Sequence, residues 1–241
     1  DRVCLASANR VAASRPPGDN MNLLRAFFRP ARAVPVTTWS AEHPMTFRPP
    51  LLSLMFLLAG LWIFGTGHAV LIAAGLGVSP WTTLAQGVAA QTGWTIGFSV
   101  LAIGVLVLVA WIPMREWPGL GTILNVVLVA VAIDTTVPHL PVPDSQVFGL
   151  LQSAIGVILL AVGSAFYLTA NLGPGPRDGL MTGLQRLTKL PIGWVRTGLE
   201  VTVLTAGWLL GGVIGIATLM VALGVGPLLA RCLSVVDTIG G

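Results

Sequence analysis

The stretch LGPGPRDGL, residues 172–180, sets a permanent cation, Arg177, beside a carboxylate, Asp178, among glycines and prolines. Gly175-Pro176 reads as a helix start, because proline suits the first helical position and the residue before it lies outside the helix. The free N–H groups of such a terminus carry partial positive charge. With Arg177 and the backbone of Gly173, Gly175 and Gly179, they make chemistry suited to a carboxylate or phosphate. Asp178 is placed to orient Arg177 or to favour the helix start. GLGVSPWTTLAQG (75–87) has the same design without charge: Ser79 is an N-cap, Pro80 the first helical residue, and Thr82 lies in the first turn. Glu200, two turns into a long apolar segment, is a candidate for proton or ion coupling, since charge at membrane depth is costly. Arg196, four residues earlier on the same face, makes a structural ion pair the equal alternative. Asn125, mid-segment, suits an interhelical hydrogen bond, with ligand contact as its second use.

Catalytic patterns are missing: no H-E-x-x-H, no G-x-S-x-G, no phosphate loop. GPGPRDG has glycines spaced somewhat like a dinucleotide loop, but no soluble strand precedes it and no acid follows at the expected distance. Cys4 and Cys232 are far apart, with no Cys or His at ligand spacing. The expectation is a protein that is not an enzyme and holds no metal or cofactor.

The elements that must position these residues are membrane spans. The chain of 241 residues is 54% hydrophobic and only 9% charged, where a soluble domain carries about a quarter charged residues. Apolar runs of about 20 residues recur from Pro50 onward, each long enough to cross a hydrocarbon core. We place spans at 51–73, 94–113, 118–138, 147–169, 192–212 and 214–235. The fold class expected is all-α: a polytopic transmembrane helical bundle in contact with lipid. Residues 1–50 hold seven Arg against Asp1, Asp19 and Glu42, which accounts for the whole net charge of +4. That confinement argues against a nucleic-acid partner. Residues 1–49 read as a basic, unstructured tail within which Met21 or Met45 is a candidate start. NLLRAFFRPAR (22–32) offers a membrane-surface helix as the alternative. With the tail inside and six alternating spans, all thirteen Lys and Arg fall on the cytoplasmic side, as the positive-inside rule requires.

The two halves, 50–138 and 147–235, align at one fixed offset of 96 residues. Gly77 matches Gly173, Pro80 matches Pro176, Gly87 matches Gly183, and Ile96-Gly97 matches Ile192-Gly193. Three spans per half is an odd number, so the second half enters from the opposite side, as an inverted repeat. Both Gly/Pro-broken segments, 75–93 and 171–191, are then either re-entrant or ordered interfacial loops, with Arg177 on a lipid phosphate in the second case. Small residues recur every four positions at Ser79, Thr83 and Gly87, at Gly175, Gly179 and Gly183, and at Gly207, Gly211 and Gly215. Such stripes permit close helix approach, within the chain or in a homodimer. His68 is expected to be a packing histidine, and Asp134 and His139 to be solvated near the outer surface. Trp62, Trp81, Trp94, Trp111 and Trp117 read as interfacial anchors.

GLGVSPWTTLAQG, together with NLGPGPRDGLMTGLQRLT and PIGWVRTGLE, resembles the bacterial YczE-type integral membrane proteins of the YczE/YyaS/YitT grouping, over about residues 50–235. The resemblance implies a multi-pass protein of the bacterial inner membrane and supplies no activity or site residues. The expected function is a carrier or exporter of a small anionic or amphiphilic solute, bound where the two broken segments converge. The alternative is an accessory protein that packs against another membrane complex.

Overall fold

The computed structural model describes residues 34–46 and 48–240. Their helices are α1 (Leu51–Ala74), α2 (Pro80–Thr92), α3 (Ile96–Met114), α4 (Leu120–Thr136), α5 (Gln146–Thr169), α6 (Pro176–Thr188), α7 (Ile192–Leu209) and α8 (Ile216–Gly240). A short 3-10 turn, Val137–His139, follows α4, and among the described residues there is no strand. Local chemistry sets the boundaries. Ser79, Thr95 and Ser145 each accept a backbone N–H in the first turn of α2, α3 and α5, which satisfies donors that a helix start leaves unpaired. The starts recur at the sequence offset: Pro80 and Pro176, Ile96 and Ile192, Leu120 and Ile216.

Among the described residues, five helices are long and apolar enough to cross a membrane: α1, α3, α4 with its 3-10 extension, α5 and α8. The expected count was six. The segment that falls short is α7, whose N-terminal half carries Arg196 and Glu200.

α1 and α5 cross at the centre. Gly60 lies on the backbone of Gly163, and Gly67 on that of Gly156. The numbers rise on one helix as they fall on the other, so the pair is antiparallel. A methyl at Gly60 would come 2.6 Å from the Tyr167 amide nitrogen, and one at Gly67 would come 2.9 Å from that of Leu160. α4 packs on α1, α8 on α5, α2 on α7 and α6 on α3. The two connecting loops are held alike. Gly77, at φ 106°, rests on Gly215 and Thr218, and Gly173, at φ 118°, rests on Gly119 and Thr122. Positive φ and close approach together require glycine there. The Ala217 amide donates to the Leu76 carbonyl at 3.0 Å, and the Gly121 amide to the Leu172 carbonyl at 2.7 Å.

Several residues of the small-residue stripes pack inside the chain. Gly87 meets Gly207 and Leu210, Gly207 meets Thr83 and Leu84, Gly183 meets Met114, and Gly179 meets the Trp111 ring. At equivalent positions the sizes are exchanged: Thr83 against Gly207 on one side, Gly179 against Trp111 on the other. Each pair fills its gap once, so each tolerates the other's inversion of large and small.

Several expectations change. Trp81 and Trp111 are buried inside the bundle, whereas Trp62, Trp94 and Trp117 are exposed as anchors would be. Asp134 does more than meet water: it accepts from the Thr95 hydroxyl and, at 2.8 Å, from the Gly97 amide at the start of α3. The end of the expected tail joins the fold. Trp39 stacks on Phe56 at 4.4 Å between ring centres, its indole N–H reaches the Thr169 hydroxyl, and the Ala41 amide donates to the Ala170 carbonyl. The candidate surface helix at 22–32 and Met21 lie outside the described residues.

Candidate functional site

The N-termini of α2 and α6 open onto one cavity of about 330 Å³, walled by residues of α1, α3, α4, α5, α7 and α8. Each terminus is fixed from behind. At α2, the Ser79 and Thr82 hydroxyls lie 2.9 Å apart and Thr82 meets His68 Nδ1 at 3.0 Å. At α6, the Trp111 indole N–H donates to the Pro176 carbonyl at 3.1 Å, and the Thr122 hydroxyl donates to the Pro174 carbonyl at 2.6 Å. Both helices therefore begin at fixed points, on side chains borrowed from spans.

Arg177 lies over the Trp81 ring, its guanidinium carbon 5.3 Å from the ring centre. A cation over an aromatic face is attracted by the ring quadrupole. These two residues stand 96 positions apart and are each the second residue of their short helix. No carboxylate among the described residues is within ion-pairing distance of Arg177. Asp178 turns its carboxylate back onto the Gly175 amide at its own helix start, which uses the partial positive charge there. Glu200 accepts from Arg196 Nε at 3.1 Å, so these two offset one another. Among the described residues, Arg177 is the cation left facing the cavity without an acid in contact.

Of the residues singled out in the sequence, Ser79, Gly175, Arg177, Asp178, Glu200 and Asn125 line the cavity. Thr82 stands one step behind, bonded to Ser79 and His68. Gly173 and Gly179 are not in the lining: Gly173 holds the loop on Gly119 and Thr122, and Gly179 makes room for Trp111. The interhelical hydrogen bond expected of Asn125 is not formed among the described residues, and its amide is half-buried at the cavity wall.

Four further residues line the cavity: His68, read from the sequence as a packing histidine with a ligand role as the lesser alternative, Trp81, read as an interfacial anchor, and Ser164 and Tyr167, which the sequence did not single out. His68 is 2% exposed, and its Nε2 has no hydrogen-bond partner among the described residues; the same holds for the indole nitrogen of Trp81, at 7% exposure. Buried polar groups without partners cost about 1–3 kcal/mol each, and both nitrogens sit in this one wall. The 96-residue offset was the available signal, since it pairs Trp81 with Arg177 and His68 with Ser164. Polar groups are unevenly shared. The second half supplies Arg177, Asp178, Arg196, Glu200 and Tyr167, while the first supplies mostly aromatic and aliphatic wall. Such a site can hold a small solute that has hydrogen-bond acceptors at one end and apolar surface at the other.

Residues 51–234 match a family model described as a family of unknown function, DUF6198. The chain is similar to an uncharacterised protein of Haemophilus influenzae, 38% identical over 85% of this chain and 93% of the relative. It is 36% identical to the membrane protein YczE of Bacillus subtilis, over 72% of this chain and 82% of that one. It is 29% identical to YyaS of the same organism, over 69% of this chain and 85% of that one. No solved structure matches the chain.

Proposed function

The chain belongs to DUF6198 and to the YczE-type membrane proteins, and from that premise we propose a carrier for a small anionic solute, built as two inverted three-span repeats. α7 is the sixth crossing, the face bearing Arg115, Arg186 and Lys189 is cytoplasmic, and the membrane is the bacterial inner membrane. The protein moves its solute unchanged and is not an enzyme. The observation that carries this reading is the convergence of two helix N-termini, one from each half, on a single cavity where Arg177 meets its sequence equivalent Trp81. Broken helices at the repeat interface, with their N-termini toward the substrate, are how many secondary transporters hold anions.

The exchanged contacts support the inversion. If Gly60 meets Gly163, a two-fold axis between the halves requires that Gly156 meet Gly67, and it does. The same exchange relates Leu76 with Ala217 to Leu172 with Gly121. An axis that swaps two antiparallel helices in this way lies across them, hence in the membrane plane. The sixth crossing is tolerable because Arg196 and Glu200 are paired with one another and both line the cavity.

The test is a thermal-shift titration of the purified protein with inorganic phosphate and with acetate, repeated on Arg177→Ala, alongside flux of the bound anion in liposomes. Ligand stabilisation grows with concentration over Kd. The expected result is a saturable shift in the wild type, at least about tenfold weaker in the variant, and flux from the protein alone. No shift and no flux, with a fixed membrane partner that co-purifies, would replace the carrier with an accessory subunit.

A further inference from the structure

The two halves differ at one place in a way that bears on the solute. α3 and α4 pack along their length, whereas their equivalents α7 and α8 scarcely touch. The cause is readable residue by residue. Gly104 on α3 lets Val126 of α4 come so close that a methyl there would lie 2.8 Å from it. Offset by 96, that contact becomes Glu200 opposite Ala222. A charged side chain stands where the other half has none, and the residue facing it is two methyls smaller. Val126 and Ala130 are each 5% exposed, but their equivalents Ala222 and Gly226 are exposed and line the cavity. α8 also carries Pro227 inside the helix, after Gly224 and Gly226. That proline has no N–H to give the Leu223 carbonyl, and proline with nearby glycine is where helices bend.

Beyond the Arg196–Glu200 pair on α7, the exposed residues flanking this gap are apolar. Val201 on α7 and Leu219 and Leu223 on α8 are 57%, 62% and 74% exposed. The cavity therefore opens sideways, between two outer helices, toward what a membrane protein has at that depth, which is hydrocarbon. Inside, the wall near Arg177 is polar, while Phe64, Val100, Ile103 and Val129 are apolar. A solute that is wholly ionic has no use for such an entrance. One with a single acyl chain and an anionic head fits it, with the head at Arg177 and the chain lying out through the gap.

We infer that the solute is a single-chain amphiphile with an anionic head, entering from the bilayer between α7 and α8. This rests on the carrier reading above and narrows its substrate class. Trp81 supplies the reporter. It is 7% exposed and screened from the surrounding lipid, yet it lines the cavity beside Arg177. Stearate dibrominated at mid-chain quenches indole fluorescence at contact range. The experiment titrates it into the full chain held in nanodiscs of zwitterionic lipid, and takes the part of the quenching that vanishes in Trp81→Phe.

The expected result is a saturable Trp81 component, displaced by plain stearate and not by acetate or inorganic phosphate. Ala222→Trp, which wedges the gap from an exposed position, is expected to weaken that component at least tenfold. Arg177→Ala is expected to weaken it by a similar factor. If acetate or phosphate shifts the melting temperature through Arg177 while stearate gives no Trp81 component, the lateral amphiphile is overturned and the small-anion carrier stands. If the component appears but is indifferent to Ala222→Trp, the entrance is elsewhere and the inference is overturned on that point. If neither class of ligand binds, both readings fall.

Discussion

Alanine at Gly163 would place a methyl carbon 2.5 Å from the Phe64 amide nitrogen and 2.7 Å from the Gly60 carbonyl oxygen. Both are backbone atoms, so no side chain can turn aside. Carbon contacts in a packed core relax to about 3.5 Å or more, so α1 and α5 must part by about 1 Å along their crossing. Inserting a methylene-sized group into a close-packed interface costs about 1–3 kcal/mol. Exchanging glycine for alanine within a helix returns up to about 1 kcal/mol. Gly163→Ala should therefore lose about 1–2 kcal/mol net. Gly193→Ala and Gly198→Ala, both on α7 with nothing within 4 Å of the new methyl, should be neutral or slightly stabilising. Equilibrium unfolding in mixed micelles reads the difference. The cycle with Gly60→Ala is sharper, because both methyls press on one contact. Once the helices have parted for one, the second adds little, so the double variant should lose clearly less than the sum. Gly97→Ala, whose methyl would strike the Ala130 carbonyl at 2.3 Å on the α3–α4 contact, should instead add to Gly163→Ala within about 0.5 kcal/mol. Equal stability for Gly163→Ala and Gly193→Ala, or plain additivity with Gly60→Ala, would refute the antiparallel crossing on which the exchanged contacts rest.

Thr92 and Thr188 end their short helices at exposed positions 96 residues apart. As single cysteines, with Cys4 and Cys232 replaced by serine, they should react with an impermeant maleimide from opposite faces of the membrane; labelling from one face would end the inverted arrangement. Trp111→Phe removes the donor to the Pro176 carbonyl and should cost about 1 kcal/mol, whereas Trp111→Ala empties a site that is 1% exposed and should cost about 3–5 kcal/mol. A Phe variant as damaging as the Ala variant would show that the hydrogen bond, not the ring's volume, holds α6. Asp134→Ala removes the acceptor for Thr95 and Gly97 and should lower stability by about 2 kcal/mol; exposed Asp144→Ala is the reference and should change it by less than about 0.5 kcal/mol.

Local chemistry made much of this chain legible in advance. The long apolar runs announce helices. Ser79-Pro80 and Gly175-Pro176 announce where α2 and α6 begin, because capping depends on neighbours in sequence. The 96-residue offset, visible in Gly77 with Gly173 and Pro80 with Pro176, returns in the helix starts at Ile96 with Ile192 and Leu120 with Ile216. Tertiary structure alone decided which faces meet. No local rule distinguishes Trp81 and Trp111, which are buried, from Trp62 and Trp117, which are not. None separates Gly175, at the cavity, from Gly173 and Gly179, consumed by packing. Nor could spacing reveal that Trp39 closes on Phe56 and Thr169, or that Gly104 lies against Val126 where α3 packs on α4 while α7 and α8 scarcely touch. A helix start is set within about four residues of itself, whereas the lining of a cavity is set by residues a hundred positions apart, brought together only when the halves pack.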